Sequence, residues 1–286
     1  MHSALISLVV LTAIAYLAMC ATLYLGQDRS IFFPHPNDPQ LRQQRQAQRV
    51  EIQTKDAVLE GWWVENPNAA NAVLIIYFGG NAEDVLFTAG EHSKFEARQM
   101  LVVNYRGYGG STGMPGQKAL YDDALAIYDY AIQRGIRPDQ IVVMGRSLGS
   151  SLAAMLAGTH RVRGAILVTP FDSLAAVGAA HYPYFPVRLL LKHPFPSIDY
   201  AKTAREPALF LAAERDVLIP PSHARKLFEA WHGKKQIHVL KGMGHNDIEM
   251  HGEYYRLINA FLADPDVAVQ EHDAERLALG RIGPPS

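Results

Sequence analysis

The sequence predicts an α/β fold: a doubly wound, mostly parallel sheet of about eight strands, with a short cap insertion and an N-terminal transmembrane helix. Three observations predict it. Short apolar runs recur without polar alternation, the pattern of strands buried on both faces. Stretches with helical spacing separate these runs, and such alternation calls for parallel pairing through crossovers. An uncharged run of 22 residues precedes them all. With 286 residues, 49% of them hydrophobic, the chain can fill one large domain around a sizeable core.

From Ala4 to Leu25 the chain reads ALISLVVLTAIAYLAMCATLYL, free of Asp, Glu, Lys and Arg. About 20 apolar residues rising 1.5 Å each cross a hydrocarbon core, so residues 1–28 are expected to form a single-pass anchor. A cleaved signal sequence would have a charged start and a shorter apolar core. A lipoprotein signal at Cys20 would need a small residue where Met19 stands, and the run continues past it. Arg29, Arg42, Arg45 and Arg49 follow the span and no Lys or Arg precedes it, which favours a cytoplasmic side for the rest. Cys20 is the only cysteine, which excludes an intrachain disulfide and a thiolate zinc site. Lys plus Arg (27) balance Asp plus Glu (28), so no broad field attracts nucleic acid, and none is expected as a partner.

Residues 29–49, rich in Pro, Asn, Gln and Arg, read as a connector, and the main domain is expected over 50–264. Val50–Thr54 and Val58–Val64, parted by a turn at Lys55-Asp56, suggest an opening hairpin. Buried strands follow at Ala72–Phe78, Met100–Asn104, Ile141–Gly145, Ala165–Thr169, Ala208–Ala212 and Ile237–Leu240. Between them, Lys118–Arg134 sets Leu120, Ala124, Ile127, Tyr128 and Ala131 on one helical face. Leu148–Ala157, Ser222–Trp231 and Tyr254–Leu262 show similar spacing. The stretch at about 174–200 is rich in proline, aromatics and leucine, more apolar than a solvated loop needs. It reads either as a cap over a pocket or as a helix packed on the sheet. Residues 265–286 form a polar tail.

The sharpest motif is Gly145-Arg146-Ser147-Leu148-Gly149, a G-x-S-x-G directly after a strand and before a helix. A serine at so tight a turn needs small neighbours, which Gly145 and Gly149 supply. A serine nucleophile needs a base, and the base an orienting carboxylate. His245 and Asp216 each fall just past the C-terminal end of a strand, where ligands gather in open α/β sheets, and are the candidates. Glu214 is a nearby competitor for the acid. Asp172 is a second, read as a helix N-cap because helix-forming residues follow it. Of the twelve histidines, His160, His181, His193, His223, His232 and His251 lack a setting like that of His245. The developing oxyanion needs two donors, assigned to the backbone N–H of Leu148 and of Asn81, in the loop Gly79-Gly80-Asn81-Ala82-Glu83-Asp84.

Over about Val50 to Leu262 these residues resemble the α/β-hydrolase superfamily. The chain is similar to its membrane-anchored branch, which overlaps the group labelled serine aminopeptidase S33-like. The likeness is carried by the apolar anchor, Ile31–Pro34, Asn104-Tyr105-Arg106-Gly107-Tyr108-Gly109, the G-x-S-x-G, and Gly244-His245-Asn246-Asp247. Gly79 departs from the family, which usually has His there. The resemblance implies the α/β-hydrolase fold, a cap over an acyl pocket and a Ser-His-Asp hydrolase needing no metal or organic cofactor. The implied substrate is a carboxylic ester or thioester of an apolar acyl group; relatives include esterases, lipases, depalmitoylases and, by label, aminopeptidases. A peptidase, with Glu83 and Asp84 as acids for a free amino terminus, and a noncatalytic binding protein on the same fold are the alternatives.

Overall fold

A computed structural model describes residues 2–266 of the chain. In chain order the strands are β1 (Arg49–Gln53), β2 (Val58–Glu65), β3 (Leu74–Phe78), β4 (Gln99–Val103), β5 (Ile141–Arg146), β6 (Gly164–Val168), β7 (Ala208–Ala213) and β8 (Lys235–Leu240). They form one sheet in the order β1-β2-β4-β3-β5-β6-β7-β8. β1, β2 and β4 pair antiparallel, as the opening hairpin predicts, and every later pairing is parallel. All eight expected strands are present, their ends within two residues of the sequence-based bounds.

The helices are α1 (His2–Ile31), α2 (Pro39–Gln44), α3 (Val85–Gly90), α4 (Gln117–Gln133), α5 (Leu148–Thr159), α6 (Leu174–His181), α7 (Val187–Leu190), α8 (Ser197–Ala201), α9 (Pro221–Ala230) and α10 (Glu253–Ala263). Successive residues of a strand point to opposite faces. Ile76, Val143, Leu167 and Phe210 therefore join one core with α4, α5 and α9. Ile75, Val142, Ile166 and Leu209 join a second core with α3 and α10. Both faces are covered, which is why the strands carry no polar alternation. β4 and β5 flank β3 on opposite sides. The strand order therefore reverses there, and a crevice opens beyond the C-terminal strand ends.

Two expectations are refined. The connector contains helical turns: α1 runs on to Ile31, and α2 follows with Asp38 as N-cap and Pro39 as first residue. Arg42 and Arg49 each reach Glu60, 2.6 Å away and 1% exposed, and Asp84 accepts from Asn37 Nδ2 and Asp38 N–H at 2.6 Å. Burial works to raise the Glu60 carboxyl, but hydrogen bonds from Arg49 and Arg42 outweigh it and hold it below its ordinary range. Within the insertion, α6 and α7 overhang a cavity, while α8 packs mainly on α5 rather than on the sheet itself. The predicted polar tail lies, from residue 267 on, outside the described residues.

Candidate active site

β5 ends in a sharp turn at Ser147, from which α5 departs. Ser147 has φ 51° and ψ −116°, left-handed backbone costing about 1–3 kcal/mol in a residue with a side chain. Its surroundings hold it there. Its N–H donates to Val168 O (2.9 Å), and its carbonyl accepts from the N–H (3.0 Å) and Oγ (2.6 Å) of Ser150. A Cβ on Gly145 would lie 2.1 Å from Gly149 O, and one on Gly149 would lie 2.1 Å from Phe78 O. Only hydrogen fits at either position, so the end of β3 can pass directly against the first turn of α5.

The structure brings Ser147, His245 and Asp216 together. Ser147 Oγ lies 2.9 Å from His245 Nε2, and His245 Nδ1 lies 2.7 Å from Asp216 Oδ2. An ionised carboxylate only accepts, so Nδ1 carries the proton and the Nε2 lone pair faces the serine hydroxyl. Asp216 is fixed by its other oxygen, which accepts from the N–H groups of Leu218 (2.9 Å) and Ile219 (2.7 Å). The rival acids are engaged elsewhere. Glu214 accepts from Gly242 N–H at 2.8 Å. Asp172 corrects its expected role: the N-cap of α6 is Ser173, and Asp172 instead sits buried, 2.5 Å from His223 Nδ1 at the start of α9. Burial tends to raise the Asp172 carboxyl, but the His223 hydrogen bond prevails and sets it below its ordinary value.

Asn81 and Leu148 line the same cavity as Ser147. Leu148 is the first residue of α5, so its N–H has no intrahelical acceptor. Asn81 is pinned by its side chain: Oδ1 accepts from Tyr108 Oη (2.8 Å) and Phe33 N–H (3.2 Å), while Nδ2 donates to Ile31 O (2.5 Å). Tyr108 is buried, which raises its hydroxyl to about 12, so it stays a donor at neutral pH. Where the family usually has His, Tyr105 Oη donates to Gly79 O at 2.6 Å and orients the loop.

A second cluster at the site was not foreseen from the sequence. Glu83 Oε2 accepts from Gly80 N–H (2.7 Å) and Arg146 Nη1 (3.1 Å), while Oε1 accepts from Tyr77 Oη (2.7 Å) and Thr88 Oγ1 (3.0 Å). Arg146 Nη2 continues to His245 O at 3.2 Å. Burial opposes the Arg146 charge, but Glu83 holds the guanidinium above its ordinary value. Three loops, those bearing Asn81, Ser147 and His245, are thereby joined through one ion pair. Glu83 and Asp84 are both committed to neighbours, leaving neither turned toward a ligand amine.

The cavity measures about 580 Å³ and carries an apolar lining, including Phe171, Leu174, Val177 and Ile219. The insertion contributes Tyr182, Phe185 and Leu190, and α1 contributes Leu23, Tyr24 and Ile31. It falls in the range of about 300–1,000 Å³ usual for ligand sites.

Comparison with known proteins places this architecture. The family described as alpha/beta hydrolase fold matches residues 73–195. An uncharacterised protein of Mycobacterium tuberculosis (strain ATCC 25618 / H37Rv) is 32% identical over 251 residues, covering 84% of this chain and 89% of that protein. Alpha/beta hydrolase domain-containing protein 17B of Homo sapiens is 30% identical over 205 residues, 69% of this chain and 68% of that protein. Among solved structures, Est1E from Butyrivibrio proteoclasticus shares the fold with a TM-score of 0.62 at 13% identity, over 76% of this chain and 98% of that one. With relatives aligned along most of its length and a strand order that carries serine, acid and histidine to one crevice, the chain belongs to the α/β-hydrolase family.

Proposed function

We propose that the chain is a membrane-anchored serine hydrolase that cleaves ester or thioester bonds of an apolar acyl substrate. The observation that carries this reading is the unbroken hydrogen-bonded relay from Asp216 through His245 to Ser147, opening on an apolar cavity. Ser147 Oγ attacks the carbonyl carbon while its proton passes to His245 Nε2. Asp216 keeps the imidazole in the right tautomer and stabilises its cationic form. The N–H groups of Leu148 and Asn81 receive the oxyanion. The tetrahedral intermediate then expels the alkoxide or thiolate, which takes its proton from His245, and an acyl-serine remains. Water gives a proton to the same nitrogen, attacks the acyl carbon and releases the acid, restoring the Ser147 hydroxyl. No step requires a metal or organic cofactor.

α1 has 30 residues and is long and apolar enough to cross a bilayer. It serves as a single-pass anchor, with the arginines after it favouring a cytoplasmic domain. Fluorophosphonate labelling tests the chemistry. Wild-type protein should be labelled and Ser147→Ala should be neither labelled nor active; labelling that survives the substitution would refute the assignment. In an acyl-length series of esters, medium and long chains should be preferred, and a preference for acetate would overturn the substrate class.

A further inference from the structure

The anchor helix does more than precede the domain: it is fused to the insertion along one face. Tyr16 stacks on Phe185 with ring centroids 5.9 Å apart, and its hydroxyl donates to Tyr184 O at 2.9 Å. Cys20, one turn on, is buried. Gln27 is buried too; its Nε2 donates to Leu190 O (3.1 Å) and its Oε1 accepts from Lys192 N–H (2.7 Å). Asp28 then meets His193 Nε2 at 2.9 Å. Tyr16, Cys20 and Gln27, spaced by four and then seven residues, keep one helix face against the insertion over several turns. Its position relative to the cavity is therefore fixed.

That attachment sets the depth of the site. If Ala4 marks one edge of a hydrocarbon layer about 30 Å thick, a rise of 1.5 Å per residue puts the other edge near residue 23 or 24. Tyr16 then lies about 11 Å below that edge, and the insertion reaches it. The tip of the insertion presents large apolar and aromatic side chains beside the exposed Arg188, whose long side chain can reach back toward the interface: Tyr184 and Leu189 are both 85% exposed and Tyr182 is 61% exposed. These would be costly facing water but are solvated in a leaflet. Leu23 and Tyr24, which line the cavity, fall at the hydrocarbon edge, where lipid ester groups lie.

We propose that the substrate is an acyl ester resident in the bilayer, entering the cavity sideways from the leaflet through the seam between α1 and α6–α7, with Leu23 and Tyr24 forming one wall of the acyl site. The proposal rests on the hydrolase reading above and names how its substrate arrives. Apolar length then enters Ser147's cavity without crossing water, and α1 selects among acyl chains.

The test uses the full chain in phosphatidylcholine vesicles, with umbelliferyl oleate in the bilayer and umbelliferyl acetate in solution. Tyr184 and Leu189 touch neither the relay nor the cavity. Tyr184→Asp combined with Leu189→Asp should leave acetate hydrolysis unchanged and slow oleate hydrolysis at least about tenfold, because charge is resisted by the acyl region. Equal effects on both esters, or none on either, would overturn the proposal. Tyr24→Ala should shift the preferred acyl length, and an unchanged preference would remove α1 from the acyl site. Tyr184→Trp reads immersion without catalysis: brominated lipid should quench it beyond the native tryptophans, and no added quenching would also overturn the proposal. A wild-type protein that cleaves neither ester and resists fluorophosphonate would instead bring down the hydrolase reading, and this one with it.

Discussion

Arg146 occupies the variable position of the G-x-S-x-G motif, and its guanidinium spans from Glu83 to the backbone of His245. No motif marks this link, because Glu83 and Arg146 are 63 residues apart and meet only once the sheet has formed. That Ser147, Asp216 and His245 would meet was readable, because each of the three follows a strand in the order the fold dictates. Glu83, by contrast, looked like half of an acidic pair. Glu83→Gln keeps the shape but removes the charge facing Arg146, so the three loops lose their common tie. The expected result is a kcat lowered about tenfold to a hundredfold with KM little changed, since small misplacement of reacting groups is costly. A loss confined to KM would show that the cluster acts on substrate binding instead. The glycines give a second prediction at this scale. Gly149→Ala forces a methyl within 2.1 Å of Phe78 O, a backbone atom that cannot swing away. The thermal melt should show destabilisation of about 3 kcal/mol or more, at the upper end of overpacking costs.

The elements missed from the sequence share a physical cause: they are too short for periodicity to register. α2, α3, α7 and α8 run six, six, four and five residues, fewer than two full turns. Of these only α2 and α3 carry a side-chain N-cap, at Asp38 and Asp84, and Asp38 is followed by a proline suited to the first turn. α6 also explains the misplacement of Asp172, because its cap is Ser173, one residue later. That shift frees Asp172 to reach His223 and fasten the start of the insertion to α9. His223→Ala would strand a buried carboxylate, with an expected cost of about 3–5 kcal/mol in chemical denaturation. The pair also predicts a pH dependence. Asp172 titrates below its ordinary 3.8 in the folded chain, so its contribution is full above that value. It is lost as pH falls through the lower folded value. Asp172→Asn should therefore flatten the decline of melting temperature in the acid range below about pH 4, and an unchanged slope would contradict the pairing.

At the scale of the molecule, the sheet is a partition between two cores rather than a floor beneath one. This was the most readable feature of all, because a strand buried on one side alternates and these do not. β3 makes the point within two residues: Ile75 and Ile76 are both fully buried, yet they belong to different cores. A doubly wound sheet predicts that Ile75→Ala and Ile76→Ala cost alike, about 2–5 kcal/mol each, by removing methylenes and leaving a cavity. It predicts further that the double variant loses close to the sum, within about 0.5 kcal/mol, since the two side chains belong to separate buried clusters on opposite faces of the sheet. Urea denaturation of the three variants measures both statements. A sheet covered on one face only would give one large loss and one below about 1 kcal/mol. A strongly non-additive pair would mean that the two cores communicate through the strand, and the partition would then be mechanical as well as geometric.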